Sequence, residues 1–276
     1  MPDSTAPSSA PRVALIGFGE AGEKFARAGG WRGHARGWDI KPDRRAAMAA
    51  YGVDTASDAR GALEDAGIAI SLVTADAALD AARDYAPLLP AGALWCDMNS
   101  IAPDTKQTAA AAVEAAGGRY VDVAVMAPVD SELAVPLLLA GPHAPAALPL
   151  LSALGFSNVR IVGDEVGRAS AIKMIRSVMV KGIEALSEEC ASAAEAAGIF
   201  DEVMASLDAT EKRRGWADRI AYNRGRMDLH GARRAVEMEE AAKTLQDLGV
   251  EPVMTRGTIE LQQRAAKNKH ERNEAA

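Results

Sequence analysis

Residues 12–22 read Arg12-Val13-Ala14-Leu15-Ile16-Gly17-Phe18-Gly19-Glu20-Ala21-Gly22, a short apolar run followed at once by Gly-x-Gly-x-x-Gly. Glycine at the first position lets the chain turn sharply out of a strand. At the second it admits a phosphate close to the backbone, and at the third it lets the following helix pack tightly on the strand. The unpaired N–H groups at the start of that helix, with the positive end of its dipole, favour an anion. Because a strand-like run precedes the glycines and Glu23–Ala28 continue as helix, the stretch reads as the cradle of a dinucleotide pyrophosphate rather than as a bare turn. A second strand, Arg36–Asp39, ends in an acid 22 residues after Gly17, where a carboxylate suits the ribose hydroxyls of NAD. Asp39 repels a 2′-phosphate, whereas Lys41, Arg44 and Arg45 attract one. NAD is the expected cofactor and NADP the alternative.

The chain has 276 residues, 49% of them hydrophobic and 25% charged, which is ordinary for a globular protein and long enough for two cores. Aromatic residues are only 4%, so those cores must be built from Ala, Val, Leu, Ile and Met. A net charge of −7 gives no electrostatic footing for nucleic acid or an anionic membrane. No apolar stretch reaches the roughly 20 residues of a membrane span. Cys96 and Cys190 are far apart, and the histidines at 34, 143, 230 and 270 form no ligand motif. We expect no metal, and read the thiols as buried in a reducing, cytoplasmic compartment. Residues 1–10, MPDSTAPSSA, read as a disordered tail rather than a signal peptide, and Lys267–Ala276 as a polar, frayed end.

From residue 11 to about 163, strand-like and helix-like segments alternate. Strands are predicted at Arg12–Ile16, Arg36–Asp39, Ile68–Val73, Ala93–Asp97, Tyr120–Val125, Pro136–Ala140 and Val159–Val162. Ala-rich helices are predicted at Pro42–Tyr51, Asp76–Ala86, Pro103–Ala116 and Ala144–Leu154. The alternation specifies an α/β fold, a Rossmann-type doubly wound parallel sheet. Beyond Gly163 strands cease, and residues 164–276 read as an all-helical domain for substrate binding and dimerisation. Helices are predicted at 165–197, 200–209, 215–227, 231–248 and 254–267.

In the long helix at 165–197, Lys173, Arg176, Ser177, Lys181 and Glu184 fall on one side, and Ile172, Ile175, Met179, Ile183 and Leu186 on another. Spacing alone is satisfied by a solvated charged face. The glycine motif, Asp39, the run Asp97-Met98-Asn99-Ser100-Ile101-Ala102-Pro103, Asp122, and Gly167 with Lys173 six residues on together resemble the β-hydroxyacid dehydrogenases. These include 3-hydroxyisobutyrate and 6-phosphogluconate dehydrogenases, with imine reductases as relatives. Within them the chain is similar to a bacterial branch with a helical C-terminal domain of poorly defined function. The resemblance implies hydride transfer between NAD(P) and a hydroxy acid or related hydroxylated small molecule, with Lys173 as general acid/base, its pKa depressed by neighbouring Arg176 and Lys181. It also implies that Gly17, Phe18, Gly19, Glu20, Ala21, Gly22, Asp39, Val73, Thr74 and Asn99 bind the cofactor. Ser100, Met126, Ala127, Arg176 and Ser177 would border the substrate, in a homodimer.

The chain departs from the family pattern at three points. A Ser-Gly-Gly that grips a carboxylate is replaced by Met126-Ala127-Pro128, an asparagine after the lysine by Ser177, and a Lys-Asp pair by Val236-Glu237. The hydride machinery reads as intact and the substrate grip as rebuilt, with Trp216, Arg219, Tyr222, Asn223, Arg226, His230, Arg233 and Arg234 as alternative anchors for an anion. Two other functions fit the same residues: an imine or enamine reductase, and a non-catalytic NAD-binding protein.

Overall fold

The computed structural model describes residues 12–210 and 215–274; the tail at 1–10 lies outside them. The chain divides into two compact units, the first ending at Ser177 and the second starting at Val178. The contact boundary thus falls inside a helix, past the point near 163 where strands cease.

The first unit is an eight-stranded sheet: β1 (Val13–Ile16), β2 (Ala35–Trp38), β3 (Asp54–Thr55), β4 (Ile68–Ser71), β5 (Leu94–Asp97), β6 (Arg119–Val125), β7 (Leu137–Ala140) and β8 (Val159–Gly163), in the order 3-2-1-4-5-6-7-8. β1, β4 and β5 are buried along their whole length, as strands covered on both faces must be. One face carries Val13, Leu15, Phe25, Ile68, Ile70 and Val121. The other carries Ala14, Ile16, Ala69, Trp95 and Tyr120 against Ala-rich helices. Those helices are α3 (Ala59–Leu63), α4 (Ala78–Tyr85) and α5 (Pro103–Ala115), while α1 (Glu20–Gly29), α2 (Pro42–Met48) and α6 (Ala144–Ala153) cover the first face.

The sheet is mainly parallel, as the alternation predicts. The exception is that β7 runs antiparallel to β6; the link between them holds only a short 3-10 segment, Val129–Ala134, and a parallel return needs a longer crossover. Sequence patterning passes over β3 and α3 because elements of two and five residues are too short to show a period.

The second unit is helical. It holds the later part of α7 (Arg168–Ala197), then α8 (Phe200–Thr210), α9 (Trp216–Asp247) and α10 (Val253–Glu274). The helices predicted at 215–227 and 231–248 are one: α9 runs through Gly231 without a break. That glycine serves packing, because a Cβ there would come within 2.5 Å of the Gln262 carbonyl oxygen on α10. α10 also continues past 267 to Glu274, where a frayed end is the sequence reading. Among the described residues, the side chains buried in this unit are few and mostly small, including Ala193, Ala194, Ala235 and Ala242.

Candidate functional site

β1, β2, β4, β5 and β6 run parallel, so their C-terminal ends share one edge of the sheet, where open α/β sheets take ligands. At that edge Gly17 has φ +88° and its N–H donates to the Trp38 carbonyl (2.9 Å). A Cβ on Gly17 would lie 2.6 Å from the Leu72 carbonyl oxygen and 3.0 Å from Val73 Cγ1. Gly19, in contrast, faces open space: a Cβ there meets nothing within 4 Å. Gly22 packs against Phe18. α1 opens directly after this turn, with no side chain capping its first N–H groups.

Asp39 is held beside this turn. The Phe18 N–H donates to its Oδ2 (2.7 Å) and the Lys41 N–H to its Oδ1 (2.8 Å). The two arginines near it are engaged. Arg44 pairs with Glu23 (2.9 Å), while Arg45 donates to the carbonyls of Asp39 and Ile40 and lies over the Trp38 ring. Glu20 pairs with Lys24, which also meets Asp130 (2.6 Å); the hydrogen bonds to Asp130 and Glu20 raise that ammonium above its ordinary range. Thr74, exposed in the loop after β4, hydrogen-bonds Asp76 and helps hold its carboxyl low.

The turn after β5 brings the next residues to the same edge. Asn99 is buried, and its Nδ2 donates to Ser71 Oγ (3.0 Å). Its Oδ1 is buried with no hydrogen-bond partner. Ser100 is exposed, and Lys173 Nζ, reaching over from α7, donates to its Oγ at 2.5 Å. Both lie in the first unit. Arg176 and Ser177 follow on the same helix, one turn further along.

Beneath this turn lies a buried polar cluster. Lys106 on α5 is fully buried; its Nζ donates to the Asp97 carbonyl (2.6 Å) and to Asp97 Oδ1 (3.0 Å), and sits 3.5 Å from Asp122 Oδ1. Asp97 Oδ2 accepts from Tyr120 Oη (2.7 Å) and Oδ1 from the Asn99 N–H (2.9 Å). Asp122 Oδ2 accepts the N–H groups of Gly167 and Ser170, both at 3.1 Å, and so caps the start of α7. Burial and the Asp97 charge push the Tyr120 hydroxyl well above its ordinary pKa, and burial takes the Cys96 thiol up to about 12. Both stay protonated. Lys106 is absent from the sequence-derived site. Its signal is a cation on an apolar face: Lys106, Ala109, Ala110 and Val113 stand at the spacing of one helix stripe.

Met126 and Ala127 turn partly inward: Met126 packs with Ala124, Leu138, Ala140 and Ala169, and Ala127 against the main core. The alternative anchors Arg219, Tyr222, Asn223, Arg226, His230, Arg233 and Arg234 all lie on α9 in the second unit, where Arg226 donates to Tyr222 Oη. The side chains of Trp216 and Glu184 lie outside the described residues. Among the described residues no group of His, Cys, Asp or Glu is placed to hold a metal.

The residues present fit a dinucleotide. The cradle at Gly19 is open, Asp39 is oriented, and the Asn99 carbonyl is an unused buried acceptor. Comparison with known proteins agrees. Residues 12–159 match the NAD binding domain of 6-phosphogluconate dehydrogenase, and residues 194–265 match a domain of unknown function, DUF1932. A conserved hypothetical protein from Sinorhizobium meliloti 1021 is 38% identical, with 92% of this chain and 88% of that one covered and a TM-score of 0.62. The conserved protein MTH1747, described as structurally similar to 3-hydroxyacid dehydrogenases, is 29% identical over 93% of this chain and 97% of its own, with a TM-score of 0.59. An imine reductase from Myxococcus stipitatus, solved with NADP+, shares the fold at 18% identity and a TM-score of 0.74, covering 94% of this chain and 96% of its own. The chain belongs to the family defined by the NAD-binding domain of 6-phosphogluconate dehydrogenase.

Proposed function

We propose that this family member is an NAD(P)-dependent oxidoreductase acting on the CH–OH carbon of a hydroxy acid or related hydroxylated small molecule, with Lys173 as general acid/base. The observation that carries the reading is the Lys173–Ser100 contact at the cofactor edge of the sheet. A bound nicotinamide supplies the hydride acceptor or donor. The chain's own residues handle the proton. Oxidation of the alcohol releases the hydroxyl proton, which the Lys173 amine accepts; in reduction the Lys173 ammonium returns it to the carbonyl oxygen, so protons and charge balance in both directions. Ser100 fixes the direction of that amine. The N–H groups of Gly19, Glu20, Ala21 and Gly22, beyond the turn that Gly17 and Phe18 make, hold the pyrophosphate, and Asp39 the adenosine ribose. Val73 and Thr74 border the nucleotide, and Asn99 Oδ1 accepts from a hydroxyl of it. Met126, Ala127, Arg176 and Ser177 border the substrate.

The engagement of Arg44 and Arg45 supports NAD over NADP. The helical unit supports a homodimer, because its buried core is small while Val178, Met179, Ile183 and Leu186 on α7 are exposed. The separate thiols, Cys96 buried and Cys190 half-buried, support a reducing, cytoplasmic setting. Among the described residues no helix is long and apolar enough to cross a membrane.

A second reading is reduction of a cyclic imine. It is favoured by Met126-Ala127-Pro128, which carries no hydroxyl and, at Pro128, no N–H where a carboxylate grip needs donors. A screen of hydroxy acids, sugar acids, aryl alcohols and cyclic imines for change in NAD(P)H absorbance separates the readings. Lys173→Ala is expected to lower kcat by about 10²–10⁴-fold with NADH binding retained. Undiminished turnover removes Lys173 from the chemistry, and tight NADH binding with no turnover on any compound favours a nucleotide-binding protein without catalysis.

A further inference from the structure

We infer that Lys106 is a positioning residue: its buried ammonium couples the Asn99–Ser100 turn to the amino end of α7, and so sets where Lys173 sits. The inference rests on the reading of Lys173 as acid/base. Asp97 and Asp122 are register partners on the neighbouring strands β5 and β6. Both carboxylates are buried. Two buried carboxylates side by side repel unless a cation stands between them. Lys106 is that cation, with its Nζ 3.0 Å from Asp97 Oδ1 and 3.5 Å from Asp122 Oδ1.

Each carboxylate has a second task. Asp97 accepts the Asn99 N–H and leads directly into Ser100. Asp122 accepts the Gly167 and Ser170 N–H groups that open α7, where the positive end of the helix dipole adds to the attraction. One side of the Lys173–Ser100 contact is therefore placed by Asp97, the other by Asp122, and Lys106 ties the two. Packing alone does not call for a lysine here. Its neighbours on the buried stripe of α5 are Ala109, Ala110 and Val113, and a well-packed apolar side chain is commonly no less stable than a buried ion pair.

The test is Lys106→Met, which keeps the length of the side chain and removes the charge. Three quantities are read: NADH affinity by fluorescence titration, turnover, and the rate at which acetic anhydride labels the Lys173 amine, followed by mass spectrometry without substrate. The expected result is a folded protein with NADH affinity within about threefold of wild type, Lys173 labelling changed by roughly fivefold or more, and kcat lowered by about 10²-fold, the scale of a misplacement near 1 Å. A folded Lys106→Met protein with wild-type labelling and kcat overturns the inference. If that variant does not fold, Asp122→Asn breaks the same link from the α7 side with little change of shape; unchanged Lys173 labelling there overturns it equally. A Lys173→Ala protein that turns over normally, beside a Lys106→Met protein with altered labelling, means the acid/base reading has failed while the positioning role stands.

Discussion

At the scale of single residues, the proposed cofactor preference rests on the charge that follows β2. Asp39 is oriented by the N–H groups of Phe18 and Lys41, so its carboxylate is in place before a nucleotide arrives and little ordering entropy remains to be lost. Hydrogen bonds to a charged group are worth about 1.5–3 kcal/mol. Asp39→Ala is therefore expected to weaken NADH binding about tenfold or more, and to move the NADPH-to-NADH preference in favour of NADPH. Fluorescence titration with both cofactors measures it, and an unchanged ratio removes Asp39 from cofactor selection. Gly17 allows no comparable freedom, because any Cβ at φ +88° runs into the Leu72 carbonyl.

At the scale of elements, α10 is anchored by one side chain of α7. Buried Glu189 takes the N–H of Met254 (2.6 Å) and both the N–H (2.9 Å) and hydroxyl (2.6 Å) of Thr255, satisfying donors that open α10. Burial pushes this carboxyl upward, but the hydrogen bonds from Thr255 and the backbone at 253–255 outweigh it and hold its pKa below the ordinary 4.5. A carboxyl depressed in the folded state contributes stability that is fully present above its unfolded pKa and is lost as pH falls through the folded one. Thermal unfolding followed by circular dichroism is thus expected to show Glu189→Gln less stable by about 1 kcal/mol at pH 7. The difference should shrink below about pH 4 as the native carboxyl takes up its proton. A gap that stays constant down to pH 3 means the charge on Glu189 is not what holds α10.

At the scale of the whole molecule, the two units differ in how well each buries its own apolar surface. The sheet unit holds Trp95, Tyr120, Phe18, Phe25 and Phe156 fully buried. The helical unit leaves Val178 75% exposed, beside Met179, Ile183 and Leu186 on α7. Light scattering is expected to give twice the chain mass, and Val178→Asp to shift the population toward single chains. A monomer at micromolar concentration removes the homodimer from the proposed function.

Much of this was readable in one dimension. The strand before Gly17, the glycine spacing, the acid at 39 and the Lys173 helix are local signals, because turn geometry, strand burial and helix stripe each depend on residues a few positions apart. The sheet and the dinucleotide edge follow from them, as do the long helices, although the break placed near 230 fails because Gly231 serves a close approach of α10 rather than a turn. Only tertiary structure decided that β7 reverses, that Lys173 meets Ser100 across 73 positions of sequence, and that Lys106 lies between Asp97 and Asp122. These are pairings of distant segments in a low-dielectric interior, where a charge is tolerated only if its partners arrive from other strands and helices.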